Sequence, residues 1–340
     1  MNRIALAALA IVALLGACTA RGGTVEPTAL RLGYFPNVTH ATAIVGLQQG
    51  LFAKALGPGM VLEPKVFNAG GEAVEAIFSG ALDASYMGPN PTINAFTKSD
   101  GEAIRIVAGA TSGGAALVVR DGIDAPADLA GARLASPALG NTQDVALRAW
   151  LADQGFAVDA QGAGDVSVLP QANGDTLTAF VTGQIDGAWV PEPWATRLQA
   201  EGGGHVLVDE RDLWPDGKFV TTQLVVSRKL LEEHPEIVRQ LLVGHVAAND
   251  FIADHPAESQ EIVAEAIADM TGAEIPAGAI ARAWPTLTFT NDPIASSLVA
   301  SARDALAFGF LDAADLDGIY DLTLLNAVLA DAGQDPIAQP

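Results

Sequence analysis

One cysteine in 340 residues, Cys18, leaves no partner for a disulfide and no thiolate cluster for a metal in the folded part of the chain. Basic residues are scarce as well: 18 Lys and Arg stand against 40 Asp and Glu, a formal charge of −22. Such a field repels phosphate backbones and anionic lipid headgroups, which argues against any nucleic-acid partner. It also opposes an anionic ligand at long range, but screening over about 8 Å at physiological salt lets local dipoles outweigh distant charge. The sequence has no Gly-x-Ser-x-Gly, no His-Glu-x-x-His, no phosphate loop ending in Gly-Lys-Ser/Thr and no Gly-x-Gly-x-x-Gly. His40, His205, His234, His245 and His255 fall at no metal-ligand spacing. Neither metal nor cofactor is expected. Low-complexity tracts and fixed-period repeats are missing too, so the chain reads as folded beyond its ends.

What is present begins with an uninterrupted apolar or small run from Ile4 to Ala17, after Arg3. It is short for a membrane span, which needs roughly 20 apolar residues, and suits the core of an export signal. Leu15, Gly16, Ala17 and Cys18 resemble a bacterial lipobox, in which the cysteine becomes the lipidated first residue. Residues 1–17 are thus expected to be a signal peptide, and 18–27 a lipidated tether of Gly, Thr and Pro.

Beyond the tether, strand and helix patterns alternate. Leu30, Leu32 and Tyr34 alternate with Arg31 and Gly33, the period of a strand with one buried face. From Ala41 the apolar residues Ile44, Leu47 and Leu51 fall three and four apart, a helical spacing. Strands are predicted near 30–35, 61–67, 83–88, 104–111, 115–120, 132–136, 165–169, 186–190, 205–209 and 220–227. Helices are predicted near 41–55, 71–81, 91–98, 142–155, 174–184 and 193–201. This order implies an α/β protein with mainly parallel sheets and helical crossovers. From His234 the pattern is helical only, near 235–254, 257–271, 276–284, 292–309 and 318–332, with prolines at or near four of the starts.

Ligands of open α/β sheets sit beyond the carboxyl ends of the strands. Six stretches there carry small or polar residues. Asn37, Thr39 and His40 end the first strand, with Thr39 a candidate N-cap whose helix start could hold an anion. Gly88 and Asn90 follow the third, in GPNPT. Ser112 and Gly113 open SGGA, where glycines let backbone amides approach a ligand. Asn141 and Thr142 either cap the helix at 142 or face a ligand. In WVPEPW, Trp189 and Trp194 flank Glu192 between two prolines; the acid either caps the next helix or faces a ligand amine. Thr221 lies in FVTTQLVVS, a β-branched strand.

The stretches GYFPNVTHA, MGPNP, GNTQD, GAWVPEPWATRL and FVTTQLVVS together resemble the ABC-importer binding proteins of the aliphatic-sulfonate, taurine and nitrate group. The resemblance implies a two-lobed, type II periplasmic-binding-protein fold with two hinge strands, at 115–120 and 220–227. Lobe one would hold 28–116 and 225–335, with the C-terminal helices packed on it, and lobe two 117–224. It implies an exported monomer, lipid-anchored on the extracytoplasmic side, that catches a small anion or zwitterion between its lobes and hands it to a permease and an ATPase. Asn37, Thr39, His40, Gly88, Asn90, Ser112, Gly113, Asn141, Thr142, Trp189, Glu192 and Thr221 are the expected ligand-binding residues. An aliphatic sulfonate is the favoured ligand; taurine, nitrate or bicarbonate, an aromatic acid and a thiamine-precursor pyrimidine are alternatives. A pyrimidine-synthase-like enzyme shares the fold, but its cysteine-rich motif is missing here.

Overall fold

The computed structural model describes residues 28–312 and 315–340; the signal segment, Cys18 and the tether lie outside them. Eleven strands are described: β1 Ala29–Tyr34, β2 Val61–Val66, β3 Ala84–Met87, β4 Ile104–Gly113, β5 Ala115–Val119, β6 Arg133–Ser136, β7 Ser167–Pro170, β8 Gly187–Pro191, β9 His205–Asp209, β10 Val220–Ser227 and β11 Leu287–Phe289. They form a six-stranded sheet, β11-β4-β10-β3-β1-β2, and a five-stranded sheet, β7-β6-β8-β5-β9. Each sheet buries both faces. Leu30, Leu32, Tyr86 and Leu224 pack on one side of the first sheet and Met87, Ile106 and Val225 on the other. In the second sheet, Val118 and Ala188 face Phe180, while Leu117 and Trp189 face Trp150.

The chain passes between the sheets twice. β4 in the first sheet runs into β5 in the second through Gly113 and Gly114, at φ +80° and +74°, a left-handed pair that side chains disfavour. The return runs through the short turns at 210–217 to β10, which lies wholly in the first sheet. The crossings therefore fall at Gly113–Gly114 and within 210–219, against sequence-expected boundaries at 116/117 and 224/225.

The expectation of mainly parallel sheets needs correcting. β1 pairs parallel with β2 and β3, and β6 with β7 and β8, but β10 runs antiparallel to both β3 and β4, and β5 to both β8 and β9. Helical crossovers make the parallel pairs; strands entering directly from the other lobe come in from the opposite end. Two further differences are local. The helix expected over 41–55 is split into Ala41–Gln48 and Leu51–Leu56 by left-handed Gly50, and β11, three residues long, is too short to show a period. Of the C-terminal helices, Pro235–Asp254 and Thr323–Asp331 bury Val238, Leu241, Leu325 and Leu329 in the core of the first sheet. Ala295–Ala307 touches both Pro89–Lys98 and Thr142–Asp153, bracing the two lobes.

The loop between β6 and the helix Thr142–Asp153 is fixed by a buried ion pair. Asp144 accepts from Arg148 Nε at 2.9 Å, Ser136 Oγ at 2.6 Å and Gly140 N at 2.9 Å, and both charged side chains are fully buried. Removing one partner of such a pair strands the other charge. Asp144→Ala is expected to cost about 3–5 kcal/mol in urea unfolding, with Asp144→Ala/Arg148→Met recovering part of the loss; a single-variant loss under about 1 kcal/mol would contradict this role.

Candidate functional site

Between the sheets lies a small cavity of about 40 Å³. It is built almost entirely from the turns that follow parallel strands. After β1 come Phe35, Asn37, Thr39 and His40, opening the helix at Ala41; after β2, Asn68, Ala69 and Gly70, opening Gly70–Phe78; after β3, Gly88 and Pro91, in Pro89–Lys98. The second sheet supplies Pro137, Asn141, Thr142 and Gln143 after β6, Asn173 after β7 and Pro191 at the end of β8. Thr221 comes from β10. Five helices thus begin at one point.

The first N–H groups of a helix have no partner within it, and the dipole places positive charge there, worth about 0.3–2 kcal/mol per helix start toward an anion. Only at Asn141 does an N-cap side chain take one of these groups, accepting from Asp144 N at 2.9 Å; the N-caps at His40, Ala69, Gly88 and Ala172 make no such bond. Among the described residues no Lys, Arg, Asp or Glu lines the cavity. His40 adds no charge either. Its Nδ1 accepts from Phe35 N at 3.3 Å, which leaves the proton of the neutral ring on Nε2, and burial pushes its pKa down to about 3. The site is a set of neutral donors aimed at a small, partly open volume between the lobes, suited to holding negative charge.

The two lobes meet directly around it. Val38 N donates to Glu192 O at 2.9 Å, and Trp194 Nε1 donates to Asn37 Oδ1 at 2.9 Å. Gly88 faces Thr142 so closely that an added Cβ would sit 2.5 Å from Thr142 Oγ1.

Of the sequence-expected residues, the structure brings Asn37, Thr39, His40, Gly88, Asn141, Thr142 and Thr221 to the cavity. Five lie elsewhere, each for a visible reason. Trp189, expected to wall the cleft, is wholly buried in the second lobe; its indole N–H donates to Glu210 at 2.7 Å and its ring packs on Trp150. Glu192 turns away: its carboxylate accepts from Thr196 N and Thr196 Oγ1, both at 3.0 Å, and so caps the helix Trp194–Gly202. Asn90, expected at the ligand, sits inside the first turn behind Gly88, and its Nδ2 reaches Ser301 O at 3.4 Å. Ser112 Oγ accepts from Phe219 N at 3.3 Å. Gly113 serves the lobe crossing, where its carbonyl accepts from the Thr221 hydroxyl. Sequence reading missed Asn68–Gly70 and Asn173. NAGGE and QANGD carry the same strand-to-helix polarity as the stretches that were singled out, and that signal would have found them.

Two expectations follow. Gly88→Val is expected to hold the lobes apart, weakening ligand affinity at least tenfold and raising the radius of gyration in ligand-containing solution; unchanged affinity would show that the lobes need not approach here. Burial raises the Glu192 pKa from 4.5 to about 7, against the lowering effect of the Thr196 bonds. The folded protein therefore keeps this proton where the unfolded chain has lost it. Its contribution is full below pH 4.5 and is lost as the pH rises through about 7. Glu192→Gln lacks that loss, so its stability relative to wild type should rise by up to about 3 kcal/mol between pH 4.5 and 8. A pH-independent difference would contradict it.

Comparison with known proteins gives the same picture. Over 198 residues the chain is 29% identical to the taurine-binding periplasmic protein of Escherichia coli (strain K12), covering 58% of each. Two solved structures share its fold. The periplasmic nitrate-binding protein NrtA from Synechocystis PCC 6803 superposes with a TM-score of 0.76 at 18% identity, over 92% of this chain and 91% of that one. The alkanesulfonate-binding protein SsuA from Xanthomonas axonopodis pv. citri, bound to MOPS, gives 0.69 at 20% identity, over 90% and 99%. The sequence model of the NMT1-like family matches residues 23–268, and the chain belongs to that family.

Proposed function

We propose that this protein is the extracytoplasmic solute-binding component of an ABC importer, and that it captures a small organic anion, by preference an aliphatic sulfonate, between its lobes. The observation that carries the reading is the meeting of five helix starts on a small cavity that, among the described residues, no charged side chain lines. An acid head group there gains backbone donors from both lobes at once, so binding and closure are coupled. Relatives named for taurine, alkanesulfonate and nitrate binding support an acidic ligand. A taurine-like amine would need a carboxylate beside it, and Glu192, the acid singled out in the sequence, is spent on Thr196. A plain anion is therefore favoured over a zwitterion. Capture and release require no chemistry, and we assign the protein no catalytic residue.

Membrane attachment is assigned to Cys18. Among the described residues no helix is long and apolar enough to cross a bilayer; a lipid on Cys18 and contact with the permease, which the ATPase subunits drive from the other side, would keep a monomer at the membrane. Two measurements test these assignments. In a thermal-shift panel, an alkanesulfonate at 100 times its dissociation constant should stabilise the protein by about 2.7 kcal/mol, with taurine at the same concentration giving less; stabilisation by taurine alone would overturn the plain-anion preference. Cys18→Ser should move the protein from the membrane fraction to the soluble one, and a variant that stays membrane-bound in high salt would refute the anchor.

A further inference from the structure

A second cavity, of about 200 Å³, lies where the helix Trp194–Gly202 of one lobe packs on Ala279–Ala283 of the other. Glu192, Thr196, Gln199 and Asp209 line it from one side, Arg282 and Thr286 from the other. None of these six lines the head-group cavity. Charge is divided between the lobes: both acids belong to one and the single cation to the other. Arg282 also differs from its kind. Every other arginine among the described residues holds a carboxylate, or in the case of Arg105 two backbone carbonyls. The exposed Arg282 guanidinium makes no such bond; its Nη1 is folded back toward Gly278, 3.5 Å from where a Cβ on that glycine would stand.

The two acids opposite are not equivalent. Asp209 accepts from Arg211 N and from Arg211 Nε, both at 3.0 Å, so its charge is already matched. Glu192 is only 4% exposed, and its oxygens take neutral donors alone, the N–H and hydroxyl of Thr196. Asp209 and Arg282 are the charged groups that act on this carboxyl, the first raising its pKa and the second lowering it, and burial holds it up at about 7. An ionised carboxylate at this depth needs a counter-charge. The unpaired guanidinium that lines the same cavity is the one available, and it stands on the other lobe.

We infer that Arg282 is a positioning residue for capture: it swings across this cavity to pair with ionised Glu192 and so draws the two lobes into the arrangement described. The inference rests on capture between two lobes, and not on the chemistry of the captured ligand. Because Glu192 gives up its proton near neutrality, the latch engages as the pH rises through about 7 and slackens below it. A partly exposed ion pair of this kind shifts the population of the approached lobes by about twofold to fivefold. It favours closure around any ligand alike, so it leaves the ranking of ligands unchanged.

The test is small-angle X-ray scattering of the purified, ligand-free protein at pH 5.5 and 8.5, on wild type, Arg282→Gln, Arg282→Glu and Glu192→Gln. Wild type is expected to show the smaller radius of gyration at pH 8.5. Arg282→Gln and Glu192→Gln should abolish that difference. Arg282→Glu should reverse it, because two like charges then face each other across the cavity. Arg282 is exposed, so its two variants carry the test even where Glu192→Gln does not fold. Glu210, a second buried acid with a pKa raised to about 7, is kept in every variant. A pH-dependent radius that survives in both Arg282 variants therefore overturns the latch, as does a wild-type radius that ignores pH. With no ligand present, either failure leaves the anion reading standing, and a failure of sulfonate binding leaves the latch untouched.

Discussion

Helix starts carry unpaired N–H groups, and a buried helix start must find something to bond. Five of them meet between the two sheets of this protein. At Ala41 the preceding turn already bonds Val38 N to Glu192 O, His40 N to Asn37 O and Ala41 N to Val38 O, and Pro89 and Pro91 leave only Asn90 N at another. The open N–H groups therefore come mainly from the starts at Gly70, Thr142 and Asn173. That constraint orders the rest of the structure. Strands β1, β2, β3, β6 and β7 run parallel within their sheets, so their carboxyl ends, and the helices that follow, all arrive at the same place. The cavity needs no formal positive charge because backbone dipoles supply the field at short range, where the surface charge of −22 is screened.

Keeping those starts aimed requires rigid loops, and buried polar bonds provide them. Asp144 ties Ser136, Gly140 and Arg148 together behind the turn at Asn141, and His40 is held by Phe35 N in front of the turn at Thr39. Away from the site the lobes are joined by helix packing, Ala295–Ala307 on Thr142–Asp153 and Ala279–Ala283 on Trp194–Gly202. One backbone bond from Val38 to Glu192 and one indole bond from Trp194 to Asn37 span the cleft near the site, and Arg148 lies 5.4 Å from the Phe310 ring further out. Glu192 belongs to this clasp through its carbonyl while its carboxylate caps a helix, which explains an acid in WVPEPW without giving it a ligand.

The sequence made the alternation of elements legible, because apolar periods of two and of three to four survive wherever one face is buried. Asn37, Thr39, Gly88 and Asn141 could be found as polar punctuation between a strand and a helix. The failures have physical causes. Trp189 looked like a cleft wall because two tryptophans around Pro-Glu-Pro are unusual, but its burial depends on Glu210 and Trp150, which local sequence does not reveal. The antiparallel runs of β5 and β10 follow from lobe crossings, which periodicity does not encode. The cavity at Glu192 and Arg282 assembles from both lobes, so no contiguous stretch announces it.

The central claim is that helix-start dipoles, rather than a charged side chain, recognise the negative charge of the ligand. Competitive titration of an alkanesulfonate against the neutral sulfonamide of the same chain length tests it most directly, because the two differ in charge at nearly constant shape. The account predicts that the sulfonate binds at least tenfold tighter, and keeps that advantage between pH 5 and 8, since His40 stays neutral down to about 3. Equal affinity of the two, or an advantage that appears only as the pH falls toward 5, would contradict it.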